Sequence, residues 1–450
     1  MTPERTLAHW LVNTRYQDLP QPVVAQMKLL VKTIIGTTVA GATAEGCLAV
    51  VEQVRDWGGK GEATVLIHGG AKVPAHNAVL ANSVMGRALD ICDGMAPGIH
   101  IGTSVVPIAL AMAEAVGGCT GEELITALAV GTELSARISA IAEYDGFDPT
   151  GIGTQFGAAA VAGRLLKLDA SQIHHALALA FNRAAGSFQS NIDGSLAVRF
   201  IQGFVSQNGV ICAQLAQRGI TGPDHYITGL YGYYHLFCKD RRDQATLVDD
   251  LGNRWNLYQM GFKSAPSCGC TIAPTDLILD LVNRHPVDPD AVARIDVTVG
   301  PPVFKLTGHD FEVGDNPTVN AQFNIQYCVA NGLLRRASRL EHFDPARVTD
   351  PAVLALTKRI KVHCDDTRIT ETTLVITTRD GETLRAQTPG PSGFPPFPLT
   401  DEQHRERFED NIGYGGKPLP RPQVDALVAR VAALEGMADV RDLIPLLVAG

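Results

Sequence analysis

Through about the first 260 residues, apolar positions recur every three to four residues, the spacing of one buried helix face. This predicts helices from Thr6 to about Ala40, interrupted at Pro20 and Pro22, and another over 47–57. EATVLIHGG reads as a short β-branched segment, and Asn77–Ile91 leads into the most informative stretch, Ala81–Arg137. There the pattern predicts a helix with Asp90 and Asp93 on one face, since positions i and i+3 are neighbours. Pro97-Gly98 breaks it and leaves His100 in a loop. Thr103 or Ser104 is placed to cap a strongly apolar second helix ending at Gly117-Gly118, and Thr120 with Glu123 forms a capping box for a third. Beyond a helix ending near Glu143, the loop YDGFDPTGIGTQFG leads into the helix AAAVAGRLLKLD. Residues 171–186 form a further helix, and another runs to Gly219.

The period changes after the turn-rich segment GFKSAPSCGCT at 261–271. ARIDVTVG, KRIKVHCD, TETTLVITTR and ETLRAQTP read as strands, interleaved with helices at 271–284, 321–335 and 350–357. From Asp401 the helical period returns. The fold class expected is therefore mainly α: a large helical domain (1–262 and 394–450) with a smaller α+β domain (263–393) inserted.

A chain of 450 residues exceeds one ordinary core, which agrees with two domains. The formal charge of −9 without a basic run argues against nucleic-acid binding, and an anionic substrate would need cations local to its pocket. The nine cysteines are scattered; Cys268 and Cys270 alone are close, and C-x-C supplies too few ligands for a structural zinc site. The N-terminal MTPERTLAHWLV lacks a signal-peptide core, and no apolar run of spanning length is read. The expectation is a soluble, cytoplasmic protein with reduced thiols and no membrane contact.

Candidate chemistry gathers at 90–104. A helix N-terminus suits a carboxylate, and an imidazole beside it with carboxylates on the preceding turn suits acid–base work. The plainer alternatives are an aspartate capping a neighbouring helix and a surface histidine. Gly151, Gly153 and Gly157 do not follow G-x-G-x-x-G, so they read as close-packing positions rather than a nucleotide loop. His174 and His175 are adjacent and cannot share a helix face, which removes them as a metal site. Arg199, at a loop–helix junction, is placed to face either a substrate or solvent, with solvent the default.

GRALDICDGMAPGIHIGTSVVPIALAMAEAVGG, GIGTQFGAAAVAGRLLKLD, NGVICAQLAQRGITGP and FKSAPSCGCTIAPTD together resemble the MmgE/PrpD family over nearly the whole chain. The resemblance implies an all-helical domain with an α+β lid, a homodimer, a site between domains, and no metal or organic cofactor. It points to His100 as base or acid, Asp90 as its orienter or the acceptor of a substrate hydroxyl, and Asp93 as a second candidate. Tyr327 corresponds to a lid proton donor, and Lys263 to a hinge lysine. Lys263, Arg199 and the Thr103–Ser104 helix end would hold a carboxylate, with Cys268 in a hinge position sometimes held by histidine. Gly94 stands for a usual threonine, Asp148 for a histidine and Val198 for a lysine. The activity implied is a cofactor-free lyase eliminating water from a small hydroxy-carboxylate less charged than a tricarboxylate. The alternatives are an epimerase or isomerase, a decarboxylase, and a catalytically silent ligand-binding member.

Overall fold

The computed structural model describes residues 1–241 and 247–449. It is mainly helical with one small four-stranded sheet. The first half is built from α1 (Pro3–Asn13), α2 (Gln21–Gly41), α3 (Cys47–Trp57), α4 (Ala75–Arg87), α5 (Gly102–Ala115), α6 (Gly121–Ile141), α7 (Pro149–Leu165), α8 (Ala170–Phe181) and α9 (Ala197–Gln217). The Thr120–Glu123 capping box opens α6 as expected. By length and hydropathy, α2 and α6 would suffice to cross a membrane, although no spanning run was read in the sequence. Their most apolar stretches are 72% and 94% buried inside the protein, which makes them core helices.

α7 starts earlier than the sequence pattern suggests. Pro149 occupies its first turn, and Asp148 caps it by accepting from Thr150 N at 2.8 Å, so the glycine-rich run is helix rather than loop. The reason lies in packing. A Cβ on Gly157 would fall 2.1 Å from Ser135 Oγ and 2.4 Å from the Gly131 carbonyl oxygen, so α6 and α7 approach backbone to backbone.

The expected helix through Asp93 stops at Arg87. Asp90 adopts φ 52°, the left-handed region in which a right-handed helix cannot continue. Asp93 and Gly94 instead pair antiparallel with Phe262 and Gly261. Asp90 and Asp93 therefore share no helix face. The cap of α5 is also reassigned. Ile101 is the N-cap residue, and Thr103 and Ser104 lie fully buried inside the first turn. Asp93 Oδ2 accepts from Ile101 N at 2.9 Å and Gly102 N at 2.8 Å, a cap supplied from outside the helix. Gly102 makes room for it, because a Cβ there would lie 2.7 Å from Asp93 Oδ1.

The second half contains α10 (Gly269–Arg284), β1 (Val292–Val299), α11 (Ile325–Arg335), β2 (Ile360–Cys364), β3 (Thr372–Thr378) and β4 (Thr383–Thr388), then α12 (Asp401–Tyr414) and α13 (Arg421–Ala432). All four strands fall where the period-two runs place them. The sheet order is β2-β1-β3-β4, with β1–β2 parallel and the other pairs antiparallel. Ile295 sits opposite both Ile360 and Ile376, so register stacks branched residues on the face that α10 and α11 cover. This face forms a second core with Leu277, Ile278, Val329 and Leu374, separate from the large core of residues 7–262 and 408–449, which Leu340 joins. Between them lies a small apolar cluster of Val198, Cys268, Val319 and Phe323.

Gly157→Ala tests the α6–α7 contact. It should lower stability by about 2 kcal/mol through overpacking, against a helix-propensity gain of about 1 kcal/mol. An unchanged urea midpoint would show that the two helices separate freely.

Candidate active site

The two-residue ladder between Asp93–Gly94 and Gly261–Phe262 brings the hinge against the end of α4. It continues as Lys263 N donating to the Cys92 carbonyl at 3.1 Å. This seats Lys263 Nζ 2.5 Å from Asp90 Oδ1, and Arg87, the last residue of α4, donates to the same oxygen. All three side chains are at most 5% exposed. Burial pushes the Asp90 carboxyl upward, but the guanidinium and ammonium outweigh it and hold Asp90 below the usual carboxylate range. Two cations around one carboxylate leave a net positive charge in a buried place. Asp90 Oδ2 and Arg87 Nε have no partner among the described residues. Buried polar atoms are nearly always paired, so these two are the natural contacts for a ligand.

His100 is fixed beside this cluster at three points. Its amide donates to Thr150 Oγ1 at 3.0 Å, and its carbonyl accepts from Gln202 Nε2 at 2.7 Å. Its ring Nδ1 lies 2.6 Å from the Asp93 carbonyl oxygen. A carbonyl only accepts, so Nδ1 carries the proton and Nε2 presents a lone pair. Nε2 has no partner among the described residues. Burial, with Arg87 and Lys263 nearby, holds the imidazole pKa well below 6.5, which makes the ring neutral at physiological pH.

Other groups share the field of this cluster. Asp148 is 5% exposed, and burial pushes its carboxyl up to about 6. Tyr144 packs its ring on Phe147 and Phe188, at 5.5 and 5.4 Å between centroids. Burial and the charge of Asp148 keep its hydroxyl protonated. The Cys270 thiol donates to Cys268 and lowers its pKa. Arg199 does not face solvent. It is 2% exposed, donates to the Glu45 carbonyl at 2.7 Å, and leaves Nε and Nη2 without partners among the described residues.

Among the sequence candidates, the structure gathers His100, Asp90 and Lys263, with Cys268 and Arg199 in the same electrostatic neighbourhood. Asp93 serves as helix cap and, through its carbonyl, as the acceptor that sets the His100 tautomer. The α5 N-terminus is filled by Asp93, so the expected carboxylate hold at Thr103 and Ser104 finds no open N–H pair there. Thr103 instead receives a hydrogen bond from Gln202. Tyr327 is seated in the second core between Phe311 and Phe343, its hydroxyl donating to the His342 carbonyl. Sequence reasoning missed Arg87, Gln202 and Tyr144. Arg87 had a signal, since it stands three residues before Asp90 at the end of a helix. The other two had none. Among the described residues, no group of three or more His, Cys, Asp or Glu is placed to hold a metal ion.

Comparison with known proteins places the chain among relatives over nearly its whole length. The model of the MmgE/PrpD N-terminal domain matches residues 5–245, and that of the MmgE/PrpD C-terminal domain matches residues 265–418. Cis-aconitate decarboxylase of Mus musculus is 24% identical over 455 residues, covering 96% of this chain and 91% of that protein. Cis-aconitate decarboxylase of Homo sapiens is 22% identical over 448 residues, covering 95% and 91%.

The raised pKa of Asp148 has a stability consequence. Between its ordinary value of 3.8 and about 6 the folded state keeps a proton that the unfolded chain has lost, so native stability falls as pH rises through that window. Asp148→Asn retains the cap acceptor and removes the titration. Its stability relative to the parent should rise by about 2–3 kcal/mol between pH 4 and pH 7, read by urea denaturation at each pH. A pH-independent difference would mean that Asp148 titrates as an ordinary carboxylate.

Proposed function

Because the chain belongs to the MmgE/PrpD family, we propose that it is a lyase of the dehydratase or decarboxylase kind, moving a proton at a carbon next to a carboxylate. The observation that carries this reading is His100: a neutral imidazole, tautomer set by the Asp93 carbonyl, with Nε2 free beside two buried cations. Such a base takes a proton from carbon, and the negative charge that develops on the substrate carboxylate is stabilised by Arg87 and Lys263 in a low-dielectric site. Arg199, with two unpartnered donors, supplies a further carboxylate contact.

The unpartnered Asp90 Oδ2 favours a hydroxy-acid, because it can accept a hydrogen bond from the substrate hydroxyl. In dehydration the C–H electron pair forms the new double bond and the C–O bond breaks. The imidazolium formed on His100 then returns its proton to the departing hydroxide, so water leaves and the site is restored. In decarboxylation the C–C bond to a carboxylate breaks, its electron pair stays on the carbon as carbon dioxide leaves, and that carbon takes a proton from solvent water, because His100 is unprotonated at rest.

The relatives named above act on cis-aconitate, a tricarboxylate. Here Val198 and Cys268 pack into an apolar cluster with Val319 and Phe323, and contribute no cation to this side of the site. This supports a substrate with fewer than three carboxylates.

Small hydroxy- and unsaturated acids incubated in deuterated water and followed by NMR test the reading. Wild type should incorporate deuterium at, or eliminate from, the carbon next to a carboxylate. His100→Ala should lose activity by about 10²–10⁴-fold. The acid limb of kcat/KM should lie below pH 6.5, because the base is already unprotonated at neutral pH. Wild type that exchanges and eliminates nothing across mono- and dicarboxylates would contradict the assignment.

A further inference from the structure

Arg407 on α12 is 8% exposed, and its role lies outside the chemistry above. Its Nη2 donates to the Ile91 carbonyl at 2.6 Å, while Nε has no partner among the described residues. Burial pulls its pKa down to about 10, which the neighbouring Cys92 and Asp93 only partly oppose. A buried guanidinium without a contacting carboxylate is costly, and an anion beside it removes that cost. Arg407 lines a cavity of about 220 Å³, with Ile91, Ser264, Ser338 and Leu340 in its walls and Arg339 exposed beside them. The Ser338 hydroxyl is also buried and has no partner among the described residues. Both unpartnered groups are thus on residues that line one cavity, at the junction between the two cores.

We propose that this cavity is a binding site for a small monocarboxylate, held by the Arg407 Nε–H and the Ser338 hydroxyl and completed by Arg339. A planar carboxylate matches a guanidinium edge, and a hydroxyl supplies a donor to the second oxygen. The volume suits a few heavy atoms. Glu406 and Asp410, both exposed, also line the cavity and disfavour multiply charged anions such as phosphate. The position carries a consequence for the candidate active site. Arg407 holds the carbonyl of Ile91, which directly follows Asp90, and Ser264 directly follows Lys263. A bound carboxylate steadies both neighbours of the Asp90–Lys263 pair, so occupancy of the cavity is coupled to the geometry of that pair.

Acetate and inorganic phosphate are the probes, titrated into the full chain and into Arg407→Gln, Arg339→Ala and Lys263→Met. Arg339→Ala changes an exposed residue, so it remains informative if Arg407→Gln loosens the Ile91 segment. The expected result is saturable acetate binding, weakened about tenfold by Arg407→Gln and several-fold by Arg339→Ala. Lys263→Met should weaken it less than either arginine variant does, and phosphate should bind more weakly than acetate. Acetate binding that ignores both arginine variants, disappears with Lys263→Met, or gives way to tighter phosphate binding would overturn the site. The titration needs no turnover, so its outcome is separate from the lyase reading.

Discussion

The interaction on which the rest of the site depends is the contact of Arg87 and Lys263 with one oxygen of Asp90. Lys263 and Asp90 stand 173 residues apart in sequence. Their pairing requires the hinge strand to lie against the segment after α4, as the Asp93–Phe262 and Gly94–Gly261 ladder arranges. Removing either cation leaves a buried carboxylate less compensated; removing the carboxylate leaves two buried cations. Neither change is cheap in a site this dry. The cluster therefore joins the large core to the chain entering the second core, and sets the field in which His100 works.

Asp93 acts in two directions at once. Its side chain closes the N-terminus of α5, and its backbone carbonyl orients the imidazole. Gly102 permits the first by lacking a Cβ. The resulting base is weak in the thermodynamic sense, since burial and two cations oppose its protonation. The same cations stabilise charge developing on a substrate carboxylate. What lowers the basicity of His100 thus also lowers the energy of the anion it creates.

Much of the fold is legible in the sequence because its signals are local. The four strands announce themselves by period-two branched residues, α3 matches its apolar spacing, and the Thr120–Glu123 box marks the start of α6. The site is legible where a residue type carries the chemistry, as with His100, Asp90 and Lys263. It is illegible where position depends on distant partners. The left-handed turn at Asp90 is tied to Lys263, and the cap of α5 comes from Asp93 instead of the nearer Thr103 or Ser104. Gly151, Gly153 and Gly157 are close-packing positions, as their spacing suggests, but they sit inside α7 rather than in the loop before it, Gly153 and Gly157 against α6 and Gly151 against the Ala185 carbonyl. Tyr327 carries a suggestive hydroxyl, but the aromatic packing of the second core takes it up, while Tyr144 has no local mark.

The central claim is that His100 is a neutral base with its proton on Nδ1. Imidazole NMR of isotope-labelled protein, titrated in pH and assigned by loss of the signal in His100→Ala, tests it most directly. The account predicts an Nδ1–H tautomer that stays neutral on acidification from pH 8 to below 6.5. An imidazolium at pH 7, or a neutral ring with its proton on Nε2, would contradict it.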